Sequence, residues 1–270
     1  MDRVTVFCFM ASYGLALVLE LLHLWLGKAV VRALALLSGA AGLIAQTIYL
    51  YSHQPPLILQ FGWMLFVAWV LAVFYLSGSI HYRRLSWGVF VLPLILGLLG
   101  LGLLFGKPDP DERGLLVGPL YHPHLLWERV HVLLLLLATV GLCIAFLASM
   151  MYLFQAHRLR TKAPPGQGLR LLSLERLEAM NRRAVFLTFP LLTAGMIAGI
   201  VLLARGSRSV GWADPAVLGT FVLWGVFALL LYLRFGYHLR GRQVALMTIA
   251  AFVMLLVCLA ISHPGSGGTP

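Results

Sequence analysis

Nine histidines are spread through the 270 residues, and two of them have surroundings that single them out for chemistry. His131 lies in Trp127-Glu128-Arg129-Val130-His131-Val132, near the start of a long apolar run. His263 lies in Ala260-Ile261-Ser262-His263-Pro264-Gly265, at the close of another. Between them comes Gly211-Trp212-Ala213-Asp214-Pro215. An ionisable side chain in an apolar run is a functional candidate, because lipid penalises its charge. Two neutral imidazoles facing one another suit the axial positions of a haem iron. The flat macrocycle would stack on an indole such as Trp212, and its propionates would seek the cations Arg129, Arg205 and Arg208. Plainer readings stand beside this one. A histidine in a membrane helix also serves as a hydrogen-bonded packing residue, and Trp212 suits an interfacial aromatic belt. Asp214 ahead of Pro215 is a proper N-cap for a helix that starts with proline.

The other polar candidates are placed less suggestively. His81, His157 and His238 lie among arginines and read as headgroup or loop residues. His53 precedes Pro55-Pro56 in a short turn, and His122 and His124 flank Pro123 as loop residues or auxiliary donors. Glu20 and His23 are three residues apart and so share a helix face. That pairing suits a proton-coupled transporter, but it reads first as a structural polar contact near the inner interface. Cys8, Cys143 and Cys258 are isolated in apolar runs, and the chain has no C-x-x-C. This spacing argues against thiol–disulfide exchange and against covalent haem attachment to the chain itself. The cysteines read as small hydrophobes.

The elements that must position these residues are membrane helices. Hydrophobic residues make up 61% of the chain and charged residues 11%, against roughly 25% charged in a soluble domain. The mean hydropathy is +0.93. A helix needs about 20 apolar residues to cross the hydrocarbon core, and the sequence supplies such runs at 4–26, 33–51, 57–78, 86–105, 125–154, 184–204, 216–233 and 244–261. The expected fold is therefore all-α: a polytopic transmembrane bundle of about eight spans. Leu, Val and Ala dominate the runs without period-2 alternation, which excludes a barrel pattern. The first run is long and lacks a clear cleavage site, so it reads as a span and not a signal peptide.

The net charge of +11 and the pI near 10.1 raise the question of nucleic acid. The position of the cations answers it. Lys28, Arg32, Arg83, Arg84, Arg158, Arg160, Lys162, Arg170, Arg176, Arg182, Arg183, Arg234, Arg240 and Arg242 fall in alternate connections, whereas Arg3, Lys107, Arg113, Arg129, Arg205 and Arg208 lie on the other side. The positive-inside rule accounts for this asymmetry. It places both termini outside a bacterial inner membrane, with His131 and His263 at the outer face. Residues 1–263 read as one membrane domain, and the Gly-rich stretch 264–270 reads as a disordered tail. The longest inner connection, 155–183, begins with Ala163-Pro164-Pro165-Gly166 and continues as Leu171-Leu172-Ser173-Leu174-Glu175-Arg176-Leu177. Its second half has the spacing of an interfacial helix.

Taken together, Gly211-Trp212-Ala213-Asp214-Pro215 and Trp224 resemble a reduced form of the tryptophan-rich segment of cytochrome c assembly, or haem-handling, membrane proteins. The likeness is to the CcsA/CcmC/HemX group, and within it to the HemX/YpjD-like branch. His131 and His263 fall where members of that family carry histidines that ligate haem iron at the outer face. Members that attach haem to apocytochrome carry a further histidine in the span after the tryptophan-rich loop. Here that stretch reads Leu231-Tyr232-Leu233-Arg234.

The resemblance implies non-covalent haem b with His131 and His263 as axial, metal-ligating residues. It also implies a cofactor-binding surface of Trp212, Asp214, Trp224, Arg129, Arg205 and Arg208. The partners implied are haem, an apocytochrome c or another maturation subunit, and the lipid membrane. At most the chain would be one component of a cytochrome c haem lyase. The same likeness allows a second expectation: a haem-sensing scaffold of tetrapyrrole synthesis that docks a cytosolic enzyme through 155–183. A small-solute or proton-coupled transporter is a third, resting on Glu20 and His23.

Overall fold

With no water in the bilayer to satisfy peptide groups, each apolar run must close its hydrogen bonds within a helix. The computed structural model describes residues 2–53, 55, 60–81, 85–105, 123–161, 171–204, 215–236 and 241–261. Among them the chain forms α1 (Asp2–Leu26), α2 (Ala29–His53), α3 (Gln60–His81), α4 (Gly88–Phe105), α5 (Pro123–Arg160), α6 (Leu174–Ala204), α7 (Pro215–Gly236) and α8 (Arg242–Ile261). Six of these, α1, α2, α3, α5, α6 and α7, are long and apolar enough to cross a membrane, while α4 and α8 supply the shorter apolar stretches Gly88–Leu104 and Arg242–Cys258. The chain is an all-helical, multi-pass membrane protein.

The chain divides into two compact units, one of Met1–Leu115 with Phe154–Leu174, the other of Leu116–Leu153 with Glu175–Pro270. In the first unit α1 and α2 are joined by a tight reversal. Gly27 takes a φ of 64° and donates its N–H to the His23 carbonyl at 2.9 Å, a left-handed helix stop that glycine adopts without a Cβ penalty. α2 buries a narrow stripe: Ala35, Gly39, Gly42, Gln46 and Tyr49. The glycines make room for aromatic rings. A Cβ on Gly39 would stand 2.7 Å from the Tyr75 ring, and one on Gly42 2.9 Å from the Tyr13 ring. The tyrosine hydroxyls then find acceptors, Tyr13 donating to Gln46 Oε1 at 2.7 Å and Tyr75 to Glu20 Oε1 at 3.1 Å. Large apolar residues elsewhere on α2, including Leu37, Ile44 and Ile48, are exposed, as suits a helix whose solvent is lipid.

Glu20 and His23, which share a helix face, go to different partners. Glu20 is buried, bonded to Tyr75 and laid against the first residue of α4, where a Cβ on Gly88 would meet its carboxyl group at 2.9 Å. His23 Nδ1 donates to the Lys28 carbonyl at 3.1 Å. The pair acts as packing and capping groups here, and the observation that motivated a transporter reading has a structural account.

In the second unit α5 and α6 run antiparallel in close contact. A Cβ on Gly195 would meet Leu135 at 2.7 Å, and the Cα of Gly141 faces the Thr188 hydroxyl. Asn181 Nδ2 donates to the Ala145 carbonyl at 3.1 Å. Partners thus step back along α6 as they step forward along α5. Small residues let the two backbones approach, the usual basis of helix association in lipid. α8 joins through Phe146 and Phe252, stacked with centroids 4.1 Å apart. It meets α7 where Cys258 Sγ lies 3.6 Å from the Gly219 carbonyl.

Two helices run further than the sequence suggests. α5 has 38 residues and α6 has 31, more than the roughly 20 that span the hydrocarbon core. The stretch expected as a separate interfacial helix is instead the head of α6. Nothing between Met180 and Ala184 breaks a helix, and Leu177 and Asn181 are buried, so packing carries the helix through. Ser173 immediately precedes it and Glu175 occupies its first turn, both favourable at a helix N-terminus.

Candidate functional site

α5 begins at Pro123, a residue suited to the first helical position because its missing N–H has no acceptor there. Two turns on, half-buried His131 enters a notch on α6 floored by glycine. Its Nδ1 lies 2.7 Å from the Gly195 carbonyl oxygen. A Cβ on Gly199 would stand 2.7 Å from Cε1 and 3.1 Å from Nδ1 of the same ring. A carbonyl only accepts, so Nδ1 carries the proton, and in the neutral imidazole the lone pair is on Nε2. That is the arrangement of a metal-ligating histidine, in which the non-ligating nitrogen donates to a carbonyl or carboxylate. The donor chemistry of His131 therefore fits an axial ligand.

Arg129 is half-buried and belongs to the same turn of α5, about 200° around the helix from His131. Trp224 on α7 donates from Nε1 to Thr193 Oγ1 at 2.9 Å and stacks on Phe189 with centroids 5.8 Å apart. Thr193 in turn donates to the Phe189 carbonyl at 2.8 Å. Trp224 and His131 thus attach to α6 at nearly the same level but on different faces, since two residues along a helix are about 200° apart. The expected site residues His263, Trp212, Asp214, Arg205 and Arg208 lie outside the described residues. α7 does start at Pro215, where the Asp-Pro pair predicts a helix start. Among the described residues no group of three or more His, Cys, Asp or Glu side chains is gathered for a metal ion.

A second polar cluster lies at the other end of the α5–α6 pair, and sequence reasoning missed it. Arg234, which marks one margin of α7, turns inward and is buried. Its Nη1 donates to Asn181 Oδ1 at 2.9 Å, and Nη2 lies 3.9 Å from Glu178. The Asn181 amide nitrogen is shared among the Ala145 carbonyl, Ser149 Oγ and Thr248 Oγ1, at 3.1, 2.9 and 3.2 Å. Four helices, α5 to α8, meet on this one amide. Gly195 and Gly199 were also missed. The signal for them was in plain sight: Gly195-Met196-Ile197-Ala198-Gly199 is a G-x-x-x-G in an apolar helix, the pattern that admits a close partner.

The family described as cytochrome C assembly protein matches residues 57–264. The HemX protein of Bacillus subtilis is 27% identical over 192 residues, covering 71% of this chain and 68% of that protein. A cytochrome c biogenesis protein CcsA from a Synechococcus species is 26% identical over 266 residues, covering 78% of this chain and 76% of its own. The CcsA of Gloeobacter violaceus is 23% identical over 274 residues, with coverage of 83% and 80%. No solved structure matches the chain.

Proposed function

The chain belongs to the cytochrome c assembly protein family, and on that premise we propose that it is a haem-handling membrane protein of cytochrome c maturation. It holds haem b non-covalently between His131 and His263, at the outer face of a bacterial plasma membrane, for delivery to an apocytochrome c or another maturation subunit. The observation that carries this reading is the bond from His131 Nδ1 to the Gly195 carbonyl, which puts the ligand lone pair on Nε2. Trp212, Asp214 and Trp224 shape the site, and Arg129, Arg205 and Arg208 receive propionates. Bound haem supplies the iron and the porphyrin edge to which a partner's cysteines are joined. The chain's own residues bind, orient and expose it.

Absorption spectra of the detergent-purified protein, oxidised and then dithionite-reduced, test this. A Soret band with sharp low-spin reduced bands is expected, weakened in both His131→Ala and His263→Ala. A chain that takes up no haem when haem is supplied during expression overturns the ligand assignment.

The exposure of Glu175, Arg176, Arg182 and Arg183 at the head of α6 favours a second reading, a regulator or scaffold of tetrapyrrole synthesis that docks a cytosolic enzyme through 155–183. It predicts that Arg182→Glu with Arg183→Glu abolishes function while the haem spectrum stays intact. Unchanged c-type cytochrome formation in that variant counts against it.

A further inference from the structure

The G-x-x-x-G of α6 does more than bring α5 close. Its first member presents a carbonyl, and its last clears the space through which an imidazole reaches that carbonyl. In the geometry present, the His131 ring lies over Gly199, with Nδ1 aimed at the oxygen one turn back on Gly195. Any side chain at 199 would press on the ring atoms nearest to Nδ1, because its first carbon would stand 2.7 Å from Cε1. The ring would have to swing away and loosen the bond. The carbonyl itself is in a helix, so its position is set by the backbone and does not drift as a side-chain acceptor would. Such a partner does two things to a neutral imidazole: it selects one tautomer, and it makes the opposite nitrogen a stronger electron donor.

We propose that the Gly195–Gly199 strip is the positioning element of the site, with the Gly195 carbonyl locking His131 as the Nδ1–H tautomer and Gly199 keeping the path to it open. The consequence for iron rests on the haem reading above; the tautomer lock does not. Neither glycine touches the ligand, and both act through His131.

The two layers separate in one set of samples. The full-length chain, labelled with 15N-histidine and purified in detergent without haem, is compared as wild type, Gly199→Ala and Gly225→Ala. Gly225 has nothing within 4 Å of an added Cβ, so its variant controls for the generic effect of alanine in a helix. The His131 resonances are those lost in His131→Ala. Wild type and Gly225→Ala are expected to show a protonated Nδ1 and an unprotonated Nε2. Gly199→Ala is expected to show a mixture of tautomers at an unchanged helical circular-dichroism signal. The same proteins titrated with haemin are expected to bind about 10-fold or more weakly in Gly199→Ala. The reduction midpoint of that variant should shift positive, because a less basic ligand stabilises ferric iron less.

A wild-type His131 protonated on Nε2, or a Gly199→Ala variant indistinguishable from Gly225→Ala in tautomer and midpoint, overturns the proposal. If no haemin binds while the tautomer pattern is as stated, the lock stands and the haem reading falls.

Discussion

Along α5, Ser149 lies about 27 Å from His131 at 1.5 Å of rise per residue, close to the roughly 30 Å thickness of a hydrocarbon core. The two ends of the α5–α6 pair are thus separated by about the thickness of that core, and they use polar groups in different ways. At the Asn181 end an amide, two hydroxyls, a guanidinium and a carboxylate are turned on one another across four helices. Their bonding capacity goes into joining helices. At the His131 end the described bond runs from an imidazole laid over glycine to a backbone carbonyl. That bond joins α5 to α6 and also decides which nitrogen carries a lone pair. The amount of polarity buried in a membrane protein is thus a poor guide to its site; the better guide is what each hydrogen bond fixes.

The contrast is most exposed at Asn181. Replacing it by leucine leaves Arg234 buried with Glu178 as its described ion partner and strips three acceptors of their donor. Leaving a buried charged donor without its acceptor costs about 3 kcal/mol, and the thermal midpoint in detergent should fall accordingly. The fraction that remains folded should keep a wild-type haem spectrum. An altered spectrum in that fraction would mean the two ends are coupled, and the contrast would fail.

Gly195→Ala comes next. Its Cβ would stand 2.7 Å from Leu135 Cδ2 and 3.4 Å from the Leu135 backbone nitrogen, an overpacking worth about 1–3 kcal/mol. Here the expectation is reversed: modest destabilisation by thermal denaturation, together with a displaced His131 and weakened Soret absorbance. Loss of stability with an untouched spectrum would place Gly195 with the structural end.

Trp224→Phe should have the smallest effect. It keeps the stack on Phe189 and deletes the bond to Thr193, and side-chain hydrogen bonds in lipid average about 0.6 kcal/mol. If Trp224 only clamps α7 to α6, the spectrum is unchanged. If its indole also shapes the haem surface, the reduced bands shift although stability hardly moves.

Much of the fold was legible in advance. Apart from the end of α5 and the start of α6, the apolar runs locate the helices to within a few residues, because a spanning segment must be both helical and apolar along its whole length. Pro215 marks the start of α7. The head of α6 was misjudged for a definite reason. Leu174–Arg183 reads as amphipathic and basic, but Leu177 and Asn181 pack inside the second unit, and burial extends the helix beyond the span. The Asn181 cluster was illegible because its members come from four helices, and only Arg234 carries a formal charge at a span margin. Glu20 and His23 have the structural role the sequence favours, but not as one contact: residues three apart share a face, yet their side chains bond different partners.

What the sequence determined by itself is the solvent and the secondary structure: helices, their approximate ends, and a family likeness carried by a few histidines and tryptophans. Those properties depend on local composition, since lipid tests each segment separately for apolarity and for closed backbone hydrogen bonds. Only the tertiary structure decided which polar residues meet. It set Arg234 on Asn181 and not in the headgroups, and it laid His131 over Gly199 with Nδ1 donating to the Gly195 carbonyl. Helix packing in lipid turns on the close approach of small residues, and a glycine acquires a role only when a particular neighbour fills the space it leaves.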